Sequence, residues 1–469
     1  MTPDASSGPL AAQVAERLRA DAPWEVFAER LRRYEVHFNG PVVEVVRGPL
    51  LVEGFGIRLF RPHGDQIGTG FRATTDLGDA ALARAIASAE SIATRSFFPA
   101  KSIALPATAG PISSDPPIVD AALWANPMRR VEEYVAALLD PFEGLPNVVP
   151  SFGSVRATLA ETSIANSAGL RAHYRHTTAD LEVAVKAFGG PEGAPPGEYW
   201  VNDRVRRLDP AAAGRPVADW TRWAQDARRA HPPTTGELPV ILPAGVLAGI
   251  LPTVIGFRCS GQARLRGIAP EPGTSVAAPT VTLWDDATLP WAPNTAPFDD
   301  EGTASGRRAL IEGGVARSLL YDLLHGSALG SASTGNGLRG RGFTGRDWMR
   351  FTGEPTVGTS TLVLSPGAGG TDAELAEAAG EGILVRQLGW ASPDPMSGAF
   401  GGEIRIGYKI QHGTIGEPIR GGTVGGVAIS APGAPSLLAR VAAIGSTSEL
   451  ADDFYGPSML VRPLSVAGA

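Results

Sequence analysis

Residues 34–60, YEVHFNGPVVEVVRGPLLVEGFGIRLF, contain three strand-like runs separated by glycine-containing steps. The runs 34–38, 42–46 and 56–60 are rich in Val, Ile, Phe and Tyr, which pack well on a pleated sheet. Because Gly-Pro steps favour turns, the stretch predicts an antiparallel meander. A helical pattern follows, and its apolar stripe comprises Leu82, Ile86, Ala89 and Ala93. Strands followed by a helix on one face indicate an α+β layer.

The segments on either side of this meander are also predicted to contain helices and strands. Towards the N-terminus, apolar residues at helical spacing predict a helix over 10–18, and a second helix is predicted over 24–33. Beyond the meander we predict helical segments over 119–139, interrupted near Pro127, and over 210–230. Strands between these segments are predicted over 155–159, 173–177 and 181–188.

The C-terminal half, from about residue 237, is rich in glycine and short strands and contains one clear helix. Thr371 and Glu374 form a capping-box pattern at its start, and Gly380 and Gly382 follow its end. We therefore predict an α+β protein in which an N-terminal antiparallel sheet with helices packed on it precedes a large, mostly β C-terminal domain. Proline-rich links divide the chain into a helical lead at 1–29, a first α+β domain at 30–97, a linker at 98–117, a middle α+β domain at 118–233 and a C-terminal domain at 234–469.

Composition limits the classes of function. The 469 residues carry a net charge of −7, which disfavours a broad electrostatic grip on nucleic acid and predicts no nucleic-acid partner. Cys259 is the only cysteine, as in proteins of a reducing compartment. The first ten residues lack the basic and apolar regions of a signal peptide, and no apolar run reaches the roughly 18 residues of a membrane span. A cytoplasmic protein that does not enter a membrane is the resulting expectation.

Several phrases in the C-terminal half carry a family resemblance: PFDDEG at 297–302, STGN at 333–336, GILV at 382–385 and SGAFGG at 397–402. In this order and spacing they resemble the TldD/PmbA family, also called modulators of DNA gyrase. That family has two kinds of subunit. One holds zinc on a His-Glu-x-x-x-His helix and is a peptidase, whereas the other, PmbA or TldE, lacks the motif and acts as its partner.

The zinc motif is missing from the segment where the family carries it. After the apolar run 238–251, the next six residues read PTVIGF. Aligned with the motif, Pro252 and Phe257 replace the two histidines and Thr253 replaces the glutamate. A zinc peptidase needs imidazole ligands and a carboxylate base, and these three side chains provide neither.

This conclusion does not depend on the register of the alignment. No histidine occurs between His231 and His325, and no glutamate between Glu237 and Glu271. The family's zinc subunits also use a cysteine near the C-terminus, whereas residues 456–463 of this chain read GPSMLVRP. We therefore predict no catalytic residue, no metal site and no cofactor.

Each of the remaining polar clusters has a structural and a functional interpretation. We interpret the acidic run 299–301 as a structural turn, with ion binding and contact with a substrate or partner as the alternatives. The glycine loop 367–370 resembles a dinucleotide loop, but Asp372 stands where the third glycine would be and would repel a pyrophosphate. His173 and His176, three apart in a predicted strand, should point to opposite faces and so not share a metal. The turn formed by Ser333, Thr334, Gly335 and Asn336 is a candidate for lining a peptide cleft, and a plain turn is the alternative.

The resemblance implies a non-catalytic PmbA/TldE-like subunit of a protease complex that acts on unfolded peptides or peptide precursors. Its partner would be a TldD-like zinc peptidase subunit, and extended peptide its ligand. The first alternative is a stand-alone homodimeric protein that binds peptides or assists assembly without a role in proteolysis. The second alternative is an independent hydrolase whose site the sequence does not reveal.

Overall fold

The computed structural model describes residues 8–110, 116–189, 195–340, 348–430 and 433–468. In the N-terminal half of these ranges, one antiparallel sheet has the strand order β4-β3-β2-β1-β5-β6-β7. The strands are β1 (Trp24–Asn39), β2 (Val42–His63), β3 (Gln66–Thr74), β4 (Phe97–Phe98), β5 (Val148–Asn166), β6 (Arg171–Ala187) and β7 (Gly197–Val205).

The central pairing of this sheet joins two parts of the chain that lie far apart in sequence. Strand β1 pairs with β2 on one side and with β5 on the other, and Glu25 lies opposite Asn166 at one end of the second pairing. Strands from the predicted first domain, 30–97, and from the predicted middle domain, 118–233, therefore belong to one sheet. Strand β2 contains both runs predicted at 42–46 and 56–60, so the turn predicted between them is wrong, and the chain continues there as one strand with a shift in its pairing to β1. The run predicted at 34–38 lies inside β1, and that at 155–159 lies inside β5. Strand β6 likewise contains both the run 173–177 and the run 181–188 except its last residue.

Helices cover the faces of this sheet. They are α1 (Leu10–Arg17), α2 (Asp79–Ala93), α3 (Ala121–Ala125), α4 (Pro127–Leu139), α5 (Pro210–Ala213) and α6 (Val217–Arg229). The break between α3 and α4 lies at Pro127, as the sequence predicts, and proline there begins the second helix. Helix α2 lies close against β3 because Gly68 and Gly70 have no side chain between the strand and the helix.

The helix predicted over 24–33 is wrong, because these residues are the first part of β1. Val26 and Ala28 pack in one apolar cluster with Leu59 of β2, whereas Glu25 and Glu29 are buried in ion pairs. A strand covered on both sides loses the alternation of apolar and polar residues that would identify it. Because Glu25 and Glu29 are four residues apart, they resemble the polar face of a helix.

The C-terminal region has many short strands. They are β8 (Gly236–Leu242), β9 (Leu283–Asp286), β10 (Arg307–Glu312), β11 (Val315–Ala316), β12 (Gly337–Leu338), β13 (Thr356–Val357), β14 (Leu362–Leu364), β15 (Gly382–Gly389), β16 (Ala399–Gln411), β17 (Thr414–Ile419), β18 (Thr423–Val427), β19 (Val441–Ile444), β20 (Glu449–Ala451), β21 (Phe454–Gly456) and β22 (Met459–Ala467). Its helices are α7 (Ala244–Ala248), α8 (Leu251–Arg258), α9 (Gly261–Leu265), α10 (Leu323–Leu329) and α11 (Asp372–Ala379).

One group of these strands closes into a barrel. The path β15-β8-β22-β18-β16 returns to its start because β15 also pairs with β16. A second sheet has the order β11-β10-β9-β14-β21-β20, and the largest apolar core of the described residues fills the C-terminal region. The predicted fold class is confirmed: an N-terminal antiparallel sheet with helices precedes a β-rich C-terminal region.

The predicted capping box is also confirmed at α11, where the Thr371 hydroxyl accepts from the Glu374 N–H and the Glu374 carboxylate accepts from the Thr371 N–H. The described part of the C-terminal region has four helices besides α11, none of which was predicted. Each of these four is eight residues or shorter in the described chain. Within the described ranges, no helix combines the length and the apolar character needed to cross a membrane.

Candidate functional site

Helix α8 carries the three residues that we predict to replace the zinc motif. Pro252 lies in the first turn of the helix, where its missing N–H costs nothing, and its ring is buried. Thr253 is exposed and Phe257 is half-buried, so the helix presents a hydroxyl and an aromatic edge rather than imidazole nitrogens. Neither a proline ring nor a benzyl group can bind zinc, and the residues present do not fit that metal.

The one thiol of the chain does not change this result. Cys259 follows α8 directly and is fully buried in the apolar core of the C-terminal region. Burial raises the pKa of its thiol to about 12, and the nearby Arg258 only partly opposes this. Among the residues that the structure describes, no three His, Cys, Asp or Glu side chains are grouped so that they could hold a metal ion.

The segment after β15 packs against α8 and exposes a tryptophan beside it. The Arg258 guanidinium donates to the Met396 carbonyl, with 2.9 Å between Nη1 and O. Gly249, just before the helix, lies against Ala391. Trp390 is 87% exposed and has a φ of 52°, which is unusual for a residue with a side chain. The surface around the altered motif therefore carries an aromatic side chain on a segment anchored by main-chain contacts.

The turn at 333–336 uses most of its polar groups internally. The Asn336 amide donates to Asp285 and to the Gly358 carbonyl, with nitrogen–oxygen distances of 2.6 and 3.0 Å. Thr334 donates its hydroxyl to the Asn336 side-chain oxygen, and Ser333 donates to the Tyr321 carbonyl. Asn336 is buried, whereas Ser333 and Thr334 are half-buried. The contact of this turn with a peptide stays a prediction.

The acidic run at 299–301 forms a turn, as the sequence predicts, but its side chains do more than shape that turn. Asp299 accepts main-chain N–H groups from Glu301, Thr303 and Gly337. Asp300 accepts from the Arg339 N–H, with 2.7 Å between N and Oδ2. All three side chains of the run are buried rather than exposed to solvent.

Two arginines tie Glu301 and the sheet together. The Arg58 guanidinium on β2 donates to both Glu25 and Glu301 through Nη2. Arg339 donates to the other oxygen of Glu25, with 2.7 Å between Nη2 and Oε1, and to the Gly353 carbonyl. Each of these four charged side chains is at most 1% exposed.

A second part of this junction is centred on Arg350. Its guanidinium donates to Glu29 and Asp300, at 2.9 Å in each case. The same side chain reaches Thr162 of β5 and the Tyr174 hydroxyl of β6. Side chains of β1, β5 and β6 thus bind Arg350, which also binds Asp300 of the acidic turn. We use the term junction network for the polar side chains that meet here: Glu25, Glu29, Arg58, Thr162, Tyr174, Asp299, Asp300, Glu301, Arg339 and Arg350.

Burial controls the protonation of the junction network. It raises the pKa of Glu301 to about 7, because desolvation and the nearby carboxylates outweigh the attraction of Arg58. It also raises the pKa of Asp299 well above its usual range, with the charge of Glu301 adding to the effect. The pKa of Glu29 is raised by burial even though Arg350 pairs with it. Acid groups with raised pKa values in a buried cluster are candidates for function as well as for structure.

Sequence reasoning missed this network, although one signal for it is present. Arg58 lies between Ile57 and Leu59 in an apolar strand, a position where a charged residue needs a buried partner. The partners could not be named, because Arg58 and Glu301 are 243 residues apart. His173 is exposed and His176 is buried, as expected for residues on opposite faces of β6. Burial and the charge of Arg206 lower the pKa of His176 well below its usual value.

Comparison with known proteins places these features in a family. Residues 235–468 match the family model of the PmbA/TldA metallopeptidase C-terminal domain. A "Metalloprotease TldD homolog" of Haemophilus influenzae is 26% identical over 218 residues, which are 46% of this chain and 42% of that protein. A "Metalloprotease" of Methanothermobacter thermautotrophicus is 25% identical over 243 residues, 51% of this chain and 50% of that protein. The matched part thus spans about half or less of the length of these curated relatives.

Solved structures resemble the whole chain. The crystal structure of TldE from Thermococcus kodakarensis superimposes with a TM-score of 0.78 at 19% identity, covering 98% of this chain and 99% of that one. A protein of Thermotoga maritima described as a modulator of a DNA gyrase gives a TM-score of 0.76 at 17% identity, covering 97% and 98%. At this identity the likeness shows the fold alone. The domain match, the relatives and this shared fold agree with the sequence phrases, and the chain belongs to the TldD/PmbA family.

Proposed function

We propose that this chain is a non-catalytic, PmbA/TldE-like subunit of a TldD/TldE-type metalloprotease complex in the cytoplasm. The observation that carries the proposal is the chemistry of α8, whose residues Pro252, Thr253 and Phe257 offer neither a zinc ligand nor a base. A peptidase that uses zinc needs nitrogen, sulfur or carboxylate ligands and a group that takes a proton from water. The chain therefore acts beside a TldD-like subunit that carries them.

In this proposal the chain supplies a surface for an extended peptide. The part of β2 from Val42 to Glu53 is paired with β1, and no described strand pairs with its other edge, since β3 begins its pairing at Phe55. Six aliphatic side chains in this part are exposed: Val42, Val43, Val45, Val46, Leu50 and Leu51. An open strand edge can hold a peptide through main-chain hydrogen bonds, a mode that tolerates many sequences. We propose Ser333 and Thr334, which keep partial exposure, as further contacts in the peptide cleft.

The test compares a TldD-like zinc subunit from the same genome with and without this chain. We expect the complex to cleave unfolded peptides faster than the zinc subunit alone, and we expect purified chain without its partner to contain far less than one equivalent of zinc by mass spectrometry. A full equivalent of zinc in the isolated chain, or peptidase activity of that chain which a chelator abolishes, would overturn the proposal. Activity of the zinc subunit that is indifferent to the chain would favour the stand-alone homodimeric protein instead.

A further inference from the structure

The turn at 299–301 brings two buried carboxyl groups against one glycine. Asp299 accepts the Gly337 N–H at 2.9 Å, and a side chain added at Gly337 would lie 2.2 Å from Oε2 of Glu301. Both carboxyl groups therefore contact the same main-chain segment. Asp299 is 2% exposed and Glu301 is fully buried, so water does not screen one from the other.

The cations around this pair are few. The hydrogen bonds described above for the Asp299 carboxylate all come from main-chain N–H groups. Glu301 shares the guanidinium of Arg58 with Glu25, and it accepts the Leu323 N–H at 2.7 Å. Carboxylates of Glu25 and Asp322 also face Glu301, and Asp322 itself binds His325. Within the described residues, acid groups outnumber the guanidinium groups that reach them.

Two carboxyl groups that share a buried site cannot both ionise at ordinary cost, so one keeps its proton. We infer that Asp299 and Glu301 hold one proton between them below neutral pH, and that losing this proton as the pH rises past neutrality loosens the contact between the N-terminal sheet and the C-terminal region. The junction network transmits the change, because Glu301 is linked through Arg58 to Glu25 of β1, and Glu25 is linked to Arg339.

The sign of the pH effect follows from the raised acid pKa. The pKa of Glu301 is about 7 in the folded protein, against an ordinary value of 4.5. A folded state that binds the proton more tightly than the unfolded chain is stabilised at low pH. This contribution is complete below the ordinary value, and it is lost as the pH rises through about 7. Ionisation above that pH leaves an uncompensated negative charge in the junction.

The first measurement is the pH dependence of the unfolding free energy of the unmodified protein. Between about pH 5 and pH 7 we expect it to fall with a slope that corresponds to about one extra proton bound by the folded state. Hydrogen exchange of 297–303 and 350–353, corrected for the intrinsic rate at each pH, should accelerate as the pH rises through about 7. A free energy that is flat or rises in this interval would overturn the inference.

A variant locates the proton. Glu301→Gln keeps one acceptor oxygen and removes the titration, so the pH slope should fall to half or less, and the infrared band of a protonated carboxyl group should disappear. Glu90→Gln, which alters a half-exposed partner of Arg61, should leave both signals unchanged. Asp299→Asn addresses the same pair if the first variant does not fold. A slope and band that survive in whichever of these two variants folds would place the proton elsewhere and refute the inference.

Discussion

Arg58 illustrates how single residues acquire their roles in this protein. Its guanidinium is 1% exposed and reaches Glu25 of β1 and Glu301 of the C-terminal region at once. Lysine would not replace it well, because an ammonium group lacks the rigid planar array of donors that lets one side chain satisfy several carboxylates. The same logic separates the junction carboxylates from ordinary surface acids: their environment, not their residue type, determines their protonation.

The buried thiol of Cys259 should be unreactive in the folded protein. Because burial raises the pKa of its thiol to about 12, the reactive thiolate is scarce near pH 8, and the core blocks access to it. We expect the folded protein not to react with a chromogenic disulfide reagent, whereas the chain unfolded in guanidinium chloride should release one equivalent. Fast and complete labelling of the folded protein would contradict this and would show an exposed thiol.

The contact between β3 and α2 shows what a single element needs from its neighbours. A side chain at Gly70 would lie 1.8 Å from the Ala89 carbonyl, and one at Gly68 would lie 1.9 Å from that of Ala93. The helix can approach the strand this closely only because Gly68 and Gly70 have a hydrogen atom in place of a side chain. The alanine stripe of α2 completes the contact, since Ala85, Ala89 and Ala93 are all buried.

We therefore expect Gly70→Ala to destabilise the protein by about 1–3 kcal/mol, as overpacking does elsewhere. Urea unfolding would measure the change. Gly245→Ala is the matched control, since that exposed position in α7 has open space around it, and alanine should stabilise a helix by up to about 1 kcal/mol relative to glycine. Equal effects of the two substitutions would show that close packing of α2 is not what the glycine provides.

At the scale of the whole molecule, the junction network links the N-terminal sheet to the C-terminal region. Glu25 and Glu29 enter from β1, Arg58 from β2, and Asp300 and Glu301 from the turn before β10. Buried ion pairs of this kind add little net stability compared with apolar packing, but breaking one leaves a charge without its partner. We therefore expect the network to fix the relative position of the two parts more than it stabilises either.

Arg339→Met tests this role. The variant leaves Glu25 with Arg58 alone and should cost about 3–5 kcal/mol. Calorimetry should show the N-terminal sheet and the C-terminal region unfolding in separate transitions where the unmodified protein shows one. Arg317→Met removes a half-exposed pair with Glu312 and should cost less than about 1 kcal/mol. A single unchanged transition in Arg339→Met would mean that apolar contacts alone hold the junction.

Much of the fold could be predicted from local patterns. The strand character of the runs at 42–46 and 56–60 and the capping box at Thr371 depend on neighbouring residues, so sequence alone reveals them. That both runs belong to one strand, β2, could not be predicted in the same way, because the Gly-Pro step between them is typical of a turn. The strand at 24–33 could not be predicted, because its glutamates resemble a solvent-facing helix until their buried arginine partners are known. The short helices α7 and α9 were missed because five residues give too little periodicity.

The residue types alone establish that α8 lacks zinc ligands, since the chain has no histidine between His231 and His325 and no glutamate between Glu237 and Glu271. That result needs no coordinates, because it depends on which residue types exist in the segment. That the acidic turn at 299–301 joins the sheet emerges only from the folded structure. Its partners include Arg58, which is 243 residues from Glu301 in the chain, and the pKa values of its acids depend on a burial that forms only when those distant strands and loops pack together.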